Sequence, residues 1–352
     1  MRSEGYLFMK ITIKDVAKEA KVATSTVSRV LANSSKISEE TKERVNEAIK
    51  KLNYTPSVVA RGLASNKTRI LAVLLSVGAE SSFENPFFVQ AMKGISIYAQ
   101  KENYYIMYAF KDSKEDEEEW IKKFTEGNIV DGICLFNVKD NDITINYLKE
   151  KELPFVVIGR PEEIDGVLWV DNDNFAAMYN LTQRLIEKGN EKIAFIGAKS
   201  ELNVSKDRLN GYKQAMFSRN IEIKDELIKE MDNFTEECGY IAGKEILDNS
   251  KVTAVITTDD LLAFGVQNAI EEYGYDNISV VGFNNIPLSQ YKNPPLSSVD
   301  INSEKLGMYA TKLLIDKLEG RENKGYHVVE TKLIERESIV DLKVISGMQP
   351  IA

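Results

Sequence analysis

From residue 69 onward the chain alternates short runs of valine, isoleucine and leucine with longer segments whose apolar residues recur at helical spacing. Strand-sized runs fall at 70–76, 104–108, 132–136, 155–158, 192–196, 254–257 and 279–282. Between them, helical periodicity covers 86–102, 114–126, 175–188, 208–220, 236–248 and 261–273. Strands this continuously apolar must be covered on both faces, which calls for parallel sheets flanked by helices. The pattern restarts near Leu168, so the spacing predicts two similar, doubly wound parallel-sheet lobes. Residues 298–300 and the helix after them, 303–319, lead back to the first lobe, and a last strand near 328–333 returns to the second. The expected division is 69–168 plus 303–325 for the first lobe and 169–302 plus 326–340 for the second, with 341–352 a tail.

In open α/β sheets, ligands bind beyond the carboxyl ends of the strands. That rule selects positions directly. After the first strand come Phe83, Asn85 and Pro86, and after the fourth come Gly159 and Arg160. In the second lobe it selects the loop after Ile196, Phe234 beyond a strand ending near Glu230, Asp259 after Thr257, and Asn284 after Phe283. Each has a plainer reading: Asp259 and Asp260 also suit a helix start, where the dipole favours a carboxylate, and Asn284 also suits a turn.

The first part of the chain reads differently. Ile13, Val16, Ala17 and Ala20 share a helical face behind Thr12, a natural N-cap. After a break at residues 21–23, a short helix carries Val27, Val30 and Leu31 inward and Thr24, Ser25, Ser28 and Arg29 outward. A third helix opens at Ser38 with Glu39 and Glu40 in its first turn. Two helices joined by a tight turn and buttressed by a third make a helix-turn-helix. Short hydroxyls and an arginine on the second helix suit phosphates and a guanine edge. Charge supports this: residues 10–67 hold twelve Lys/Arg against six Asp/Glu, although the whole chain carries a net charge of −9. A basic head on an acidic body is the footprint of a nucleic-acid reader attached to something else.

The run TIKDVAKEAKVATSTVSRVLANSSKISEETKERVNEAIKKLNYTP, followed by SVVARGLAS, resembles the head of the LacI/GalR repressors. The βα body resembles that family's periplasmic-binding-protein-like body. The resemblance implies a DNA-binding transcriptional regulator: an all-α helix-turn-helix head at 10–55, a hinge helix and linker at 56–68, and a two-lobed α/β effector-binding and dimerisation domain at 69–340. It implies that Thr24, Ser25 and Arg29 contact bases, and that Thr12, Thr26, Ser28 and Asn33 help hold phosphates. It also implies that the hinge segment orders on the operator and drives Leu63 into the minor groove. In the body it makes Arg208, Asp259 and Asn284 polar effector contacts and Phe83, Trp169 and Phe234 candidate aromatic platforms. Arg208 also suits simple pairing with Asp207 or Asp259, and the aromatics suit core packing. Two positions depart from the usual pattern: Lys21 stands where the turn normally has glycine, and Ala23 where a serine often caps the recognition helix. The segments IGRPEEIDGVLWVDNDNFAA and FIGAKSELNVSKDRLNGY look most like the maltose-operon repressors, which implies maltose or a maltodextrin as effector.

The expected partners are therefore palindromic operator DNA, a mono- or disaccharide, and a second copy of the chain, with no membrane, no cofactor and no metal. Cys134 and Cys238 suit a reducing cytoplasm. Residues 1–9 lack the apolar core of a signal peptide and read as an extension, with Met9 an alternative start. The single histidine, His327, reads as an edge residue rather than a base. No nucleophile elbow, phosphate loop or dinucleotide fingerprint is present. The alternatives are a catabolite regulator of the same family with a protein co-effector, a sugar-binding transport protein, and a sugar-processing enzyme.

Overall fold

A computed structural model of the chain describes residues 11–31, 34–55, 67–75, 83–111, 116–127, 129–136, 142–199, 202–345 and 347. Asn33, Leu63, most of the expected hinge segment, residues 1–9 and half of the 341–352 tail lie outside them. The chain forms two compact units, Met1–Ile70 with Gly127–Asp131, and Leu71–Glu126 with Gly132–Ala352.

The first unit contains α1 (Ile13–Glu19), α2 (Thr24–Leu31) and α3 (Glu39–Lys51). Their core is small: Val16, Ala17, Ala20, Val27, Val30, Val45, Ala48 and Tyr54. With so little apolar area, the helix ends matter. Thr12 starts α1, its amide and hydroxyl both donating to the Asp15 carboxylate at 2.8 Å. Ser38 caps α3 by accepting from the Thr41 amide at 3.4 Å. Lys21 sits in the turn with φ 54°, a left-handed conformation for a side chain where glycine would be unstrained.

The second unit holds two six-stranded sheets. The strands are β1 (Ile70–Leu75), β2 (Tyr105–Phe110), β3 (Gly132–Phe136), β4 (Phe155–Ile158), β5 (Leu168–Asn172), β6 (Ile193–Ala198), β7 (Ile228–Met231), β8 (Ala254–Thr257), β9 (Ser279–Phe283), β10 (Ser297–Asp300), β11 (Tyr326–Val329) and β12 (Lys332–Ile334). The first sheet runs β11-β5-β4-β3-β1-β2 and the second β12-β10-β9-β8-β6-β7. Read from the other edge, the first five strands of each lobe follow the same doubly wound order, 2-1-3-4-5. The sixth differs: β11 joins β5 in parallel, whereas β12 joins β10 antiparallel.

This pairing corrects the expected lobe boundaries. Residues 168–172 close the first sheet instead of opening the second, and 326–329 also belong to the first. The strand at 297–300 lies in the second sheet and only the helix after it returns to the first lobe. The run YHVVETKLI reads as one strand, but it breaks at residues 330–331 and its halves serve different sheets. Local patterning cannot reveal this, because edge strands of both lobes have the same half-buried character.

Helices cover both faces: α4 (Pro86–Lys101), α5 (Glu117–Thr125), α6 (Ile143–Glu150) and α11 (Ser303–Leu318) in the first lobe. The second lobe has α7 (Asn174–Glu187), α8 (Asn203–Ser218), α9 (Glu236–Asn249) and α10 (Asp260–Tyr273). A short α12 (Leu342–Ile345) follows, its Leu342 amide bonded to the Lys188 carbonyl in the second lobe. Two helix pairs approach at reciprocal glycines. A Cβ on Gly94 would stand 1.9 Å from the Glu304 carbonyl oxygen, and one on Gly307 2.0 Å from that of Ala91. Gly239 and Gly265 play the same part between α9 and α10. Among the described residues the chain crosses between lobes three times, at 172–174, 300–303 and 329–332.

Candidate functional site

The carboxyl ends of the two sheets face each other across a pocket lined by residues of both lobes, where ligands of open α/β sheets bind. Asn85, Gly159, Arg160, Arg208, Phe234, Asp259 and Asn284, seven of the ten positions singled out in the sequence, line it together. Asp259, at the end of β8, is the N-cap of α10 and accepts the Leu261 amide at 2.7 Å. Its other oxygen accepts from the Asn284 amide at 2.8 Å and, across the cleft, from that of Asn85 at 2.9 Å. Asn85 is itself the cap of α4, its Oδ1 accepting from the Phe87 amide at 3.0 Å. Asn284 holds φ at 97°, in the left-handed half of the map that asparagine tolerates better than most residues.

Arg208 is buried, its Nε donating to Asn174 Oδ1 at 2.9 Å and one terminal nitrogen to the Thr258 carbonyl at 2.7 Å. Its guanidinium lies 4.1 Å from the centre of the Phe283 ring. Burial lowers its pKa to about 10, so it stays cationic at neutral pH. Burial likewise raises Asp259 and Asp171 to about 6 against their hydrogen bonds and the pull of Arg208. Arg160 and Arg208 against Asp171 and Asp259 leave the lining balanced in charge.

Two aromatic candidates are not brought to the pocket. Phe83 is largely exposed and packs on Phe110 with centroids 4.8 Å apart; it precedes the α4 cap, so it points away before the helix begins. Trp169 is the second residue of β5, short of the carboxyl end, and stacks on Tyr326 at 5.0 Å and 14°. Arg160 bridges the two environments, lining the pocket with its guanidinium 5.6 Å from the Trp169 ring. The apolar wall comes instead from Phe87 and Phe88, with Phe234 opposite. Their signal was the doublet directly behind the Asn85–Pro86 helix start. Asn203 and Thr258 also line the pocket, as do Asp171 and Asn172, which the misplaced lobe boundary hid by concealing that β5 ends at the cleft. Asp260 is structural: buried in the second lobe, it accepts from the Ile286 amide and the Ser289 and Ser298 hydroxyls at 2.6–2.8 Å.

On the head, Thr24, Ser25 and Arg29 are exposed on one face of α2, opposite buried Val27 and Val30, while Thr26 and Ser28 are half-buried. Thr26 and Val27 donate their amides to the Ala23 carbonyl at 2.9 and 3.2 Å, so Ala23 occupies the cap position and Thr24 opens the helix. The Thr12 hydroxyl donates to Asp15, so its hydrogen is already directed within the capping box. His327 stacks on Tyr309 in edge strand β11 and Cys134 is buried. Among the described residues, no group of three His, Cys, Asp or Glu is placed to hold a metal, and no helix is long and apolar enough to cross a membrane.

A helix-turn-helix unit followed by a two-lobed, periplasmic-binding-protein-like unit defines a DNA-binding transcriptional regulator. Residues 12–57 match the family described as bacterial regulatory proteins, lacI family, and residues 182–339 match the periplasmic binding protein-like domain. The transcriptional regulator MalR of Streptococcus pneumoniae is 35% identical over 333 residues, covering 93% of this chain and 100% of the relative. A LacI regulator from Bacillus cereus subsp. cytotoxis is 35% identical with a TM-score of 0.74, over 76% of this chain and 97% of that one. The solved complex of the regulator CelR with cellobiose has a TM-score of 0.72 at 30% identity, over 93% of this chain and 99% of that one. This chain belongs to the LacI family of DNA-binding transcriptional regulators. Its relatives are regulators, not enzymes.

Proposed function

We propose that this LacI-family regulator is a repressor whose operator affinity is set by a neutral sugar in the cleft, maltose or a maltodextrin. The observation that carries this reading is the buried set of Arg208, Asp259, Asn284 and Asn85 at the facing strand ends, charge-balanced and walled by Phe87, Phe88 and Phe234. Adjacent sugar hydroxyls can engage an arginine, a carboxylate and two amides at once, while the C–H faces of the ring lie on aromatic side chains. A lining without net charge favours a ligand without one. The similarity to MalR and to a cellobiose-binding regulator supports a glucose-based di- or oligosaccharide.

Two copies of the chain present two α2 helices to the half-sites of a palindrome. Thr24, Ser25 and Arg29 read base edges; Thr26, Ser28 and Asn33 steady the backbone; Leu63 wedges into the minor groove. Sugar engages groups from both lobes, so it binds one interlobe angle better than the other, and only that difference can act on DNA. A hundredfold preference corresponds to about 2.7 kcal/mol per site, and operator weakens sugar binding by the same factor. A thermal-shift screen of the full chain against maltose, maltotriose, cellobiose and ribose tests the ligand class, because binding to the native state raises the melting temperature. Maltose or maltotriose should give the largest shift; stabilisation by ribose alone, or by no sugar, would refute this reading.

A further inference from the structure

The three crossovers between the lobes are tied together at one side chain. The two N–H groups of the Asn172 amide donate to the Ile301 carbonyl at 3.0 Å and the Val329 carbonyl at 2.8 Å. Asn172 ends β5 on the first crossover, Ile301 lies on the second, and Val329 ends β11 at the third. Rotating one lobe against the other alters the spacing of those two carbonyls, and one planar amide cannot follow both. Asn172 therefore favours the interlobe angle at which both bonds form.

This tie is continuous with the cleft. Arg208 Nε donates to Asn174 Oδ1 at 2.9 Å, and Asn174 Nδ2 donates to Asp171 Oδ1 at 3.0 Å. The same Asp171 oxygen accepts the Asn172 backbone amide at 2.8 Å. All four residues are buried, between 2% and 7% exposed, so no link can be exchanged cheaply for water. Asn174 thus joins the candidate sugar-binding arginine of the second lobe to the residue that fastens the crossovers.

We propose that Asn172 and Asn174 couple the cleft to the hinge: Asn172 sets the preferred interlobe angle and Asn174 makes that angle sensitive to what Arg208 binds. The role of Asn174 rests on the sugar reading of the cleft; that of Asn172 does not. Both are positioning residues, and a merely structural role predicts lost stability without a selective loss of response.

The test uses the full-length protein with Cys238→Ser and dye-labelled cysteines replacing the exposed Asn146 on α6 and Ile241 on α9, Cys134 being buried. Interlobe distance distributions are recorded without sugar; maltose affinity and its effect on operator affinity are measured separately. Asn172→Ala should shift the ratio of the two interlobe states by roughly tenfold, the scale of two lost hydrogen bonds. Asn174→Ser should keep the wild-type distribution and maltose affinity within about threefold, yet lose most of the maltose effect on operator binding. Asn302→Gly is the control, removing an exposed bond from Asn302 to the Glu330 carbonyl between the same crossovers but outside the Arg208 chain; its response should stay normal. An unchanged distribution in Asn172→Ala, or a normal response in Asn174→Ser, overturns the proposal. Should maltose fail to bind the wild type, the sugar reading falls, while the distance measurement still decides the claim for Asn172.

Discussion

The DNA-reading face and the cleft solve recognition in opposite ways. On α2 the candidate contacts Thr24, Ser25 and Arg29 are exposed and the fold rests on other residues, chiefly Val16, Val27 and Val45 beneath them. In the cleft the candidate contacts are themselves buried and held by hydrogen bonds: Arg208 to Asn174 behind it and to the Thr258 carbonyl, Asp259 to Asn85 and Asn284. Residues that wait in water can be changed without cost to the fold. Residues that build the wall they line cannot. Binding and stability should thus separate in the head and be entangled in the cleft.

Salt should divide the two regions most strongly. Raising it from about 50 to about 200 mM should lower operator affinity by roughly 10³-fold through lost counterion release, while sugar affinity in a charge-balanced pocket stays within about twofold. Matched titrations of operator and sugar check this, and equal salt dependence would erase the distinction. Next in size is Arg208→Ala, which should reduce sugar affinity by at least about a hundredfold and destabilise the protein by roughly 3 kcal/mol, since it strips buried partners from Asn174 and Thr258. Calorimetry and thermal melting on the same sample test both halves. Arg29→Ala should weaken specific operator binding by about tenfold or more, with the melting temperature unchanged because the side chain is exposed. A lower melting temperature there would blur the contrast.

The smallest effect is on pH dependence. Burial raises Asp171 and Asp259 to about 6 and Asp260 to about 7, above the ordinary 3.8. Between these values the folded state binds more protons than the unfolded one. These groups' contribution is therefore most favourable below the unfolded pKa and diminishes as pH rises through 6 to 7. Lowered carboxylates such as Glu335 pull the other way, so the clean readout is a difference. Asp260→Asn should flatten the stability profile between about pH 4 and 7 relative to wild type; a parallel profile would show that Asp260 does not titrate there.

The same contrast explains what could be read from the sequence. The head was legible to its caps, Thr12 and Ser38, because helical periodicity and capping are local. The βα order and the cleft positions Asn85, Gly159, Arg160, Phe234, Asp259 and Asn284 followed from strand ends, where chemistry sits at predictable offsets, whereas Arg208, inside α8, came from the family resemblance. What escaped was non-local. The partners of β5 and β11 depend on three crossings between lobes, and no local pattern says to which sheet an edge strand belongs. Placing the boundary at Leu168 hid Asp171, Asn172 and Asn174; Trp169, a platform by resemblance, instead stacks on Tyr326.

What binds between the lobes should govern how tightly the helices of the head hold DNA. This is tested most directly by titrating the full-length protein with a duplex enriched from a random palindromic library, with and without saturating maltose. Operator affinity should fall at least tenfold with sugar present, and sugar affinity should fall equally when operator is bound. Saturable maltose binding that leaves operator affinity untouched would contradict it.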